Sequence, residues 1–406
     1  MAVAVFSLGL LLFAASLFTA LFRRTQVPDV LLLIVLGILA GPVFQLVSVS
    51  DFGRVGSVLS SVALVIILFQ SGLQLELVVL VRSIRATSVL TVVTFVVTVA
   101  LVAVAAHVAI DLSWLLALSL GAVVGGTSSA VVIPIVQQLS MQVVPATVLV
   151  LESAITDVLC IIIAVALLDS SLLGNANPLR IGGGVVVSLT MSTVSGVVAG
   201  MVLLFFVNIL RSLPNAVLTL LAYVFVTYGV AEMLGLSGAI ASLALGFTLT
   251  NRTAMGITRL RGYAHLAEEK MPRYVGFFLD DLVFMLKTFF FVFLGLSIHL
   301  ASGRVIAAAA LTVLAVYLAR VVIVRFTAPD GTPASDASLM AVMVPKGLAA
   351  AVLAGLPTQR GVPEGPLMQQ FTYMIVLFSI VLTSLLVPLV QRAPLKSLAA
   401  RLYAPR

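Results

Sequence analysis

The sequence predicts an all-α polytopic membrane protein, because its composition and its long apolar runs fit no water-soluble fold. Of the 406 residues, 62% are hydrophobic and 9% are charged, whereas roughly a quarter of the residues in a soluble domain are charged. A membrane-spanning helix needs about 20 mostly apolar residues, and such runs follow one another through almost the whole chain. The net charge of +7 does not indicate nucleic-acid binding, since the basic residues lie in short segments between apolar runs.

Thirteen spans are predicted from the apolar runs and the turn residues between them. They cover residues 2–22, 28–47, 57–79, 86–109, 112–138, 144–168, 184–210, 214–234, 236–252, 280–300, 304–327, 336–357 and 368–392. The first run lacks a basic leading segment and a small-residue cleavage site, so we interpret it as a retained span; a cleaved signal peptide is the alternative. Asp51-Phe52-Gly53 is interpreted as a turn between the second and third spans, and Gly235 and Gly238 mark a very short connection between the eighth and ninth.

The distribution of Lys and Arg predicts how the chain is oriented. Basic residues are retained in cytoplasmic loops. With thirteen spans and an outer N-terminus, fifteen of the 22 Lys and Arg residues fall in cytoplasmic segments and four in outer segments. An error of one span would scramble this asymmetry further along the chain. We therefore expect an outer N-terminus and a cytoplasmic C-terminus.

Five ionisable residues fall inside predicted spans. They are Glu152, Asp157, Lys287, Arg320 and Lys346. An ionisable group inside the bilayer costs several kcal/mol unless it is paired or wetted, so each of these residues is a functional candidate. For Lys287, which lies about two turns from the cytoplasmic end of its span, extension of the ammonium group to the membrane surface is the alternative.

The two acidic residues of the sixth span have different surroundings on the helix. Glu152 and Asp157 are five positions apart and therefore about 140° apart around the helix axis, so they face different neighbours. Ser153 and Thr156 share one face of the same helix and supply hydroxyl oxygens. Asp157 with nearby hydroxyl groups forms an all-oxygen environment that suits a hard cation. The alternative is that both carboxylates only pair with basic residues elsewhere.

Two spans carry residues that favour an interruption of the helix. The fifth span contains the run Gly125 to Ser129 followed by Pro134, and the twelfth contains Pro345-Lys346-Gly347. Non-helical backbone at membrane depth occurs only where it is buried in protein or lines a cavity. Interrupted spans in corresponding halves of a chain are typical of transporters built from inverted repeats. We therefore expect inverted repeats with two broken, crossing helices in spans 5 and 12; for the fifth span, a small-residue packing face is the alternative.

Several motifs resemble the monovalent cation:proton antiporter superfamily, and within it the NhaP/NHE-type sodium/proton exchangers. The resemblance covers nearly the whole chain. Pro28 to Pro42 resembles the second span of that family, and Leu68 to Leu73 resembles its Leu-Phe-Glu-x-Gly-Leu element with Gln in place of Glu. Glu152-Ser153-x-x-Thr156-Asp157 resembles the ion-site signature Glu-Ser-x-x-Asn-Asp. Ala319-Arg320-Val321 resembles the span with the partner arginine, and Pro345 to Ala349 resembles the Arg-Gly element with Lys in place of Arg.

The resemblance implies roles for the charged residues of the sixth and eleventh spans. Asp157 matches the aspartate that alternately binds the cation, Na⁺ or K⁺, and the proton. Glu152 and Arg320 match a buried ion pair that holds the two spans together. Lys346 lies at the broken helix, where it balances local dipoles or acts as a counter-charge that the arriving cation displaces. Lys287 is a further possible site residue.

The resemblance also implies hydroxyl ligands for the cation. Thr127 and Ser153 match positions that contribute oxygen atoms, and Ser128 and Thr156 are included with them as candidate cation- and proton-binding residues. Thr156 stands where the family has asparagine. Many relatives have an acidic residue in the segment that here reads Thr-Ser-Ser.

The expected domain organisation follows the same resemblance. Residues 1–83 form scaffold and dimerisation spans 1–3, residues 84–170 form core spans 4–6, and residues 171–300 form linking span 7 and scaffold spans 8–10. Core spans 11–13 occupy residues 301–392, and residues 393–406 form a short cytoplasmic tail. Spans 4–6 and 11–13 are expected to move as one core against a scaffold that also forms a homodimer.

The expected function is secondary antiport of a monovalent cation, Na⁺ or K⁺, for protons, and not an enzymatic reaction. We expect one-for-one, electroneutral exchange in a prokaryotic inner membrane, where it serves pH homeostasis, with the membrane lipid around it and no cofactor. A lysine at Lys346 that loses its proton on cation binding would instead give electrogenic exchange. The alternatives from other classes are a cation channel and a proton- or sodium-coupled solute symporter of related fold.

Overall fold

A computed structural model describes residues 2–25, 28–47, 49–139, 141–172, 178–206, 215–259, 273–298 and 302–391. The regular secondary structure within these ranges is entirely helical, which confirms the predicted all-α class. Six of the described helices are long and apolar enough to cross a membrane, namely Ser88–Ile110, Val143–Leu172, Val186–Phe205, Ala216–Met233, Gly303–Thr327 and Gly365–Val390. The total of thirteen crossings stays a prediction. The predicted tail, residues 393–406, lies outside the described ranges.

The helices are numbered here in chain order. The first eight are α1 (Ala2–Thr25), α2 (Asp29–Ile38), α3 (Val49–Gln74), α4 (Leu77–Ile110), α5 (Trp114–Val123), α6 (Ser129–Gln138), α7 (Val143–Leu172) and α8 (Pro178–Phe205). The others are α9 (Ala216–Met233), α10 (Gly238–Asn251), α11 (Arg273–Ser297), α12 (Gly303–Thr327), α13 (Ala334–Val342), α14 (Leu348–Leu353), α15 (Leu356–Gln359) and α16 (Gly365–Val390). A π-helical turn, Leu39–Val43, extends α2, and a 3₁₀ turn, Ile257–Arg259, follows α10.

The turn predicted at Asp51-Phe52-Gly53 is wrong, because α3 begins at Val49 and continues through these residues. A single glycine costs a helix only about 1 kcal/mol, so it does not end one by itself. The short connection predicted at Gly235 is confirmed. It joins α9 to α10, and Gly235 has a φ of +72°, a left-handed conformation that glycine adopts without steric strain.

The helices group into two compact units. The first contains Met1–Gly56, Ile84–Ala176 and Thr288–Arg406, and the second contains Ser57–Ser83 and Asn177–Lys287. Helices that pack into one unit in a single conformation need not move together when the conformation changes. The assignment of spans to a moving core and a scaffold therefore stays a prediction.

An apolar core holds the second unit together. Its buried side chains come from α3, α8, α9, α10 and α11 and from the 3₁₀ turn, and they include Phe69, Val224, Leu245 and Leu279. Polar groups join the same helices at one end. The Asn251 side chain on α10 donates to the Leu75 carbonyl oxygen at 2.6 Å and accepts from the Leu77 nitrogen at 2.6 Å. This amide therefore pairs the peptide groups that are left open where α3 ends and α4 begins.

In the first unit, α7 lies between the helices that carry the predicted breaks. Ser119 on α5 donates a hydrogen bond to the Ala164 carbonyl oxygen on α7 at 2.9 Å. In the same unit, Tyr317 on α12 donates to the Ser379 carbonyl oxygen on α16 at 2.8 Å, and its hydroxyl lies 2.5 Å from Thr383 Oγ1. Polar side chains thus join α5 to α7 and α12 to α16.

Helices α2 and α11 approach each other closely through glycine. A Cβ atom on Gly295 would overlap the Ile34 carbonyl oxygen and lie 2.9 Å from the Gly37 Cα atom. A Cβ atom on Gly37 would overlap the carbonyl oxygen of Val292. Backbone contact of this kind replaces the hydrophobic driving force that helices lack in lipid.

Gly295→Ala is therefore expected to separate α2 from α11 and to destabilise the protein by about 1–3 kcal/mol, the usual range for an overpacked interior. The measurement is the thermal unfolding midpoint in detergent. Gly229→Ala on α9 is the matched control, because a Cβ atom there meets nothing within 4 Å. Equal midpoints for the two variants would contradict the close approach.

Candidate ion-binding site

Two helices of the first unit are interrupted in the middle of predicted spans. Helix α5 ends at Val123 and α6 begins at Ser129, so residues 124–128 are not helical. Helix α13 ends at Val342 and α14 begins at Leu348. Pro134, which we expected to contribute to the first interruption, instead lies within α6. Proline lacks the N–H that would pair with a carbonyl in the first turn of α6, but α6 continues through it. The two glycines before α6 permit the interruption, because glycine adopts non-helical conformations without steric strain.

Side chains of α7 supply hydrogen-bond acceptors to the first interruption. The Gly126 N–H donates to Cys160 Sγ at 3.0 Å, and the Thr127 N–H donates to Thr156 Oγ1 at 3.1 Å. The Gly126 carbonyl oxygen accepts from Lys346 Nζ at 2.9 Å. Unpaired peptide groups are costly in a low-dielectric interior, and these three contacts replace the lost helical partners.

The two interruptions contact each other. The Ser128 N–H donates to the Pro345 carbonyl oxygen at 2.7 Å. The Lys346 N–H donates to Ser379 Oγ on α16 at 2.9 Å. Gly347 lies so close to Ser128 that a Cβ atom on this glycine would overlap Ser128 Oγ. The hydrogen bond between Ser128 and Pro345 therefore joins the two non-helical segments, and the lack of a side chain at Gly347 allows them to approach this closely.

Asp157 is partly buried on α7, and its Oδ2 atom accepts a hydrogen bond from Ser129 Oγ at 3.0 Å. Ser153 lies four positions earlier and therefore on the same face of α7, one turn away. Its hydroxyl is fully buried and lies 3.0 Å from Thr127 Oγ1. The structure thus places the Asp157 carboxylate in contact with the Ser129 hydroxyl, and it places the Ser153–Thr127 hydroxyl pair one helical turn away along α7.

Ser129 was not among the residues that the sequence analysis selected, whereas its neighbour Ser128 was. The Ser128 hydroxyl is buried and, in the part of the chain that the structure describes, has no hydrogen-bond partner. The signal that distinguishes the two serines is the start of α6. Ser129 is the first helical residue, and Ser128 is the last residue of the interruption.

Thr156 contributes to the architecture through its hydroxyl group. Thr156 Oγ1 donates to the Glu152 carbonyl oxygen at 2.8 Å and accepts from the Thr127 N–H at 3.1 Å. A hydroxyl has one donor and two acceptor positions. Thr156 therefore uses its donor and one acceptor position on the backbone of α7 and of the interruption, and braces the position of Thr127.

Glu152 and Arg320 form a buried, bidentate ion pair. Arg320 Nη1 and Nη2 donate to the two carboxylate oxygens of Glu152 at 2.5 and 2.6 Å, and both side chains are almost completely excluded from solvent. Arg320 also donates to Thr94 Oγ1 at 2.6 Å and to the Met340 carbonyl oxygen at 3.2 Å. The guanidinium group thus joins α4, α7, α12 and α13.

Two further sequence features lie in the second unit. Lys287 on α11 is partly buried, and its Nζ atom lies 5.9 Å from the centre of the Phe284 ring. Gln70, which stands where the resembling family has glutamate, donates to Asp280 Oδ1 at 2.6 Å. Both contacts are with residues of α11.

The arrangement around Asp157 can bind a small, hard cation or a proton. Carboxylate and hydroxyl oxygens are the ligands that such cations prefer. Glu152 is neutralised by Arg320, which leaves Asp157 as the carboxylate next to the hydroxyl groups. An ionisable side chain beside an interrupted helix in an apolar helical protein is typical of secondary transporters.

The comparisons with known proteins place the chain within this class. The profile of the family described as "Sodium/hydrogen exchanger, transmembrane" matches residues 10–392, and the chain belongs to this family of cation:proton antiporters. The predicted resemblance is therefore confirmed, and the family is one of transporters and not of enzymes.

Solved structures share the fold. The sodium proton antiporter MjNhaP1 from Methanocaldococcus jannaschii, determined at pH 8, has a TM-score of 0.72 and 21% identity, over 94% of this chain and 99% of that one. An electron-microscopy map of the same antiporter gives a TM-score of 0.64 at 21% identity, over 96% of this chain and 97% of that one. At this level of identity the likeness concerns the fold alone.

Removal of one partner of the Glu152–Arg320 pair is expected to cost roughly 3–5 kcal/mol, because the other charge is left buried without compensation. Glu152→Gln and Arg320→Met should each lower the thermal unfolding midpoint in detergent, and the double variant should regain part of the loss. Arg325→Met, at an exposed position of α12, is the control. Strictly additive losses would show that the pair is not coupled.

Proposed function

We propose that this antiporter exchanges Na⁺ or K⁺ for H⁺ by competition at a single carboxylate, that of Asp157. The observation that supports the proposal is the hydrogen bond from Ser129 to Asp157 at the first interruption, together with the pairing of Glu152 with Arg320. Cation/proton antiport itself is the activity of the family. The mechanism at one aspartate and the choice of cation are the proposed steps.

Competition at Asp157 accounts for the coupling between the two ions. A partly buried carboxylate is unfavourable as a bare charge, so it holds either a proton or a cation. When Asp157 faces one side of the membrane it releases one ion and binds the other, and it then turns to face the opposite side. Cation and proton movements are then coupled without a further element, because Asp157 with neither ion bound does not readily cross to face the other side of the membrane.

Alternating exposure of Asp157 requires movement of the segments that carry it. We propose that spans 4–6 and 11–13 move together, since the contacts of Ser128 with Pro345 and of Glu152 with Arg320 join these spans. The remaining spans form the scaffold, which also provides a homodimer interface.

The protein lies in a prokaryotic inner membrane with its N-terminus outside, where exchange of Na⁺ or K⁺ for H⁺ contributes to pH homeostasis.

One proton is proposed to exchange for one monovalent cation. Thr156, next to Asp157, has no titratable group in the physiological range, and Glu152 is held in its ion pair. The exchange then moves no net charge. Lys346 is the rival proton carrier, because its ammonium group is buried and donates to the Gly126 carbonyl oxygen. If Lys346 released its proton when the cation binds, the exchange would become electrogenic.

Asp157→Asn is expected to abolish exchange while the protein remains folded, because the amide carries no exchangeable negative charge. The measurement is cation-driven pH change in sealed proteoliposomes that contain a pH-sensitive dye, with Na⁺, K⁺ and Li⁺ tested separately. Asp111→Asn is the matched control, since Asp111 is exposed and asparagine tolerates its positive φ. Normal exchange by the Asp157 variant would refute the proposal.

The rate of exchange is expected to be independent of membrane potential if Asp157 is the only proton carrier. The test imposes a potassium-diffusion potential across the proteoliposomes, or a lithium potential if K⁺ is the substrate. A rate or end-point that changes with potential would show electrogenic exchange. Loss of that dependence in Lys346→Gln would then identify Lys346 as the second carrier.

A further inference from the structure

We propose that Ser129 determines the balance between proton and cation at Asp157, and is therefore a specificity-determining residue of the exchange. The inference rests on the proposed role of Asp157. Its basis is the hydrogen bond from Ser129 Oγ to Asp157 Oδ2, 3.0 Å long. Among the described residues, no other side chain donates a hydrogen bond to the Asp157 carboxylate.

The hydroxyl groups of Thr127, Ser153 and Thr156 have partners of their own, and the Ser128 hydroxyl lies against Gly347 with no hydrogen bond in the described part of the chain. Thr127 Oγ1 and Ser153 Oγ lie 3.0 Å apart, and the Ser153 hydroxyl also donates to the Leu149 carbonyl oxygen at 3.1 Å. Thr156 Oγ1 is bonded to backbone groups of α7 and of the interruption. Among these residues, Ser129 is thus the one whose hydroxyl group contacts the carboxylate itself.

A hydroxyl group at this position can serve each state of the exchange cycle. It donates to the ionised carboxylate across the 3.0 Å that separates Ser129 Oγ from Asp157 Oδ2. When a cation lies between the two side chains, rotation of the O–H bond turns a lone pair of Ser129 Oγ toward the cation. When Asp157 is protonated, the same oxygen accepts from the carboxylic acid. These changes need no movement of α6 or α7.

The ionised state gains more from Ser129 than the protonated state does, because hydrogen bonds to charged groups are stronger than bonds between neutral groups. In the cation-bound state the Ser129 oxygen is a ligand of the kind that a hard cation prefers. Loss of the hydroxyl is therefore expected to favour the proton over the cation. The resulting change concerns competition at the site and not the stability of the fold.

Other ionisable groups around Asp157 have assigned contacts. On α7, Glu152 is paired with Arg320, the Cys160 thiol accepts from the Gly126 N–H, and Asp169 pairs with Arg360. The described parts of α5, α6 and α14 carry no acidic or basic side chain. Asp336 on α13 accepts from the Gln142 N–H, and Lys346 donates to the Gly126 carbonyl oxygen. Substitution of Ser129 alone leaves these contacts in place, so a change in pH optimum or in cation affinity can be assigned to the loss of its hydroxyl group.

The test measures exchange by Ser129→Ala in proteoliposomes as a function of pH and cation concentration. We expect the cation concentration for half-maximal exchange to rise about tenfold, and the pH optimum to move about one unit toward alkaline pH, as loss of a hydrogen bond to a charged group implies. The maximal rate at saturating cation should fall much less. Ser384→Ala, which removes a buried hydroxyl bonded only to its own helix, should change neither quantity.

A second pair of variants keeps the test decisive if Ser129→Ala does not fold. Ser129→Thr and Ser129→Val have nearly the same shape and differ in the hydroxyl group, so the valine variant should show both shifts relative to the threonine variant. A lower maximal rate with unchanged pH optimum and half-maximal concentration would overturn the proposal, as would equal shifts from Ser128→Ala. If Asp157→Asn retains exchange, the proposed function fails. If Asp157→Asn abolishes exchange but the Ser129 variants behave as wild type, the proposed function stands and this inference alone fails.

Discussion

Peptide groups that leave a helix inside a membrane must find new hydrogen-bond partners, and this constraint shapes the whole candidate site. Hydrocarbon offers none, and each unpaired group costs several kcal/mol. Here α7 supplies Cys160 and Thr156, Lys346 supplies its ammonium group, and the two interruptions supply each other through Ser128 and Pro345. The position of Ser129 beside Asp157 is a consequence of these contacts, because they fix where α6 resumes.

Much of the fold and part of the site could be predicted from the sequence, because lipid allows few solutions. An apolar run of sufficient length must be helical, and this requirement alone predicts the all-α class. A charged residue within such a run must have a partner or a function, which singled out Glu152, Asp157, Lys287, Arg320 and Lys346. The partner of Glu152 came from the resemblance to a family and not from spacing, since a charge does not specify which distant charge it meets.

The remainder could not be predicted because it depends on positions within one helical turn and on packing. The sequence alone does not show which of the three consecutive hydroxyl residues, Thr127, Ser128 and Ser129, contacts Asp157. Only the start of α6 decides that Ser129 contacts it while Ser128 faces Gly347. The helical state of Asp51-Phe52-Gly53 likewise reflects the continuation of α3, which local turn propensity does not reveal. The grouping of residues 1–56 with the site depends on interhelical contacts that an apolar run does not encode.

Cys160 has a consequence for how this transporter can be observed. It is the one cysteine in the sequence, and its sulfur accepts the Gly126 N–H within the segment that joins α5 to α6. The stretching vibration of a thiol falls in a region of the infrared spectrum that is free of other protein bands, and its frequency depends on hydrogen bonding to sulfur. The unmodified protein therefore contains a spectroscopic reporter at the first interruption, and difference spectra between proton-loaded and cation-loaded states would follow that segment without any added label.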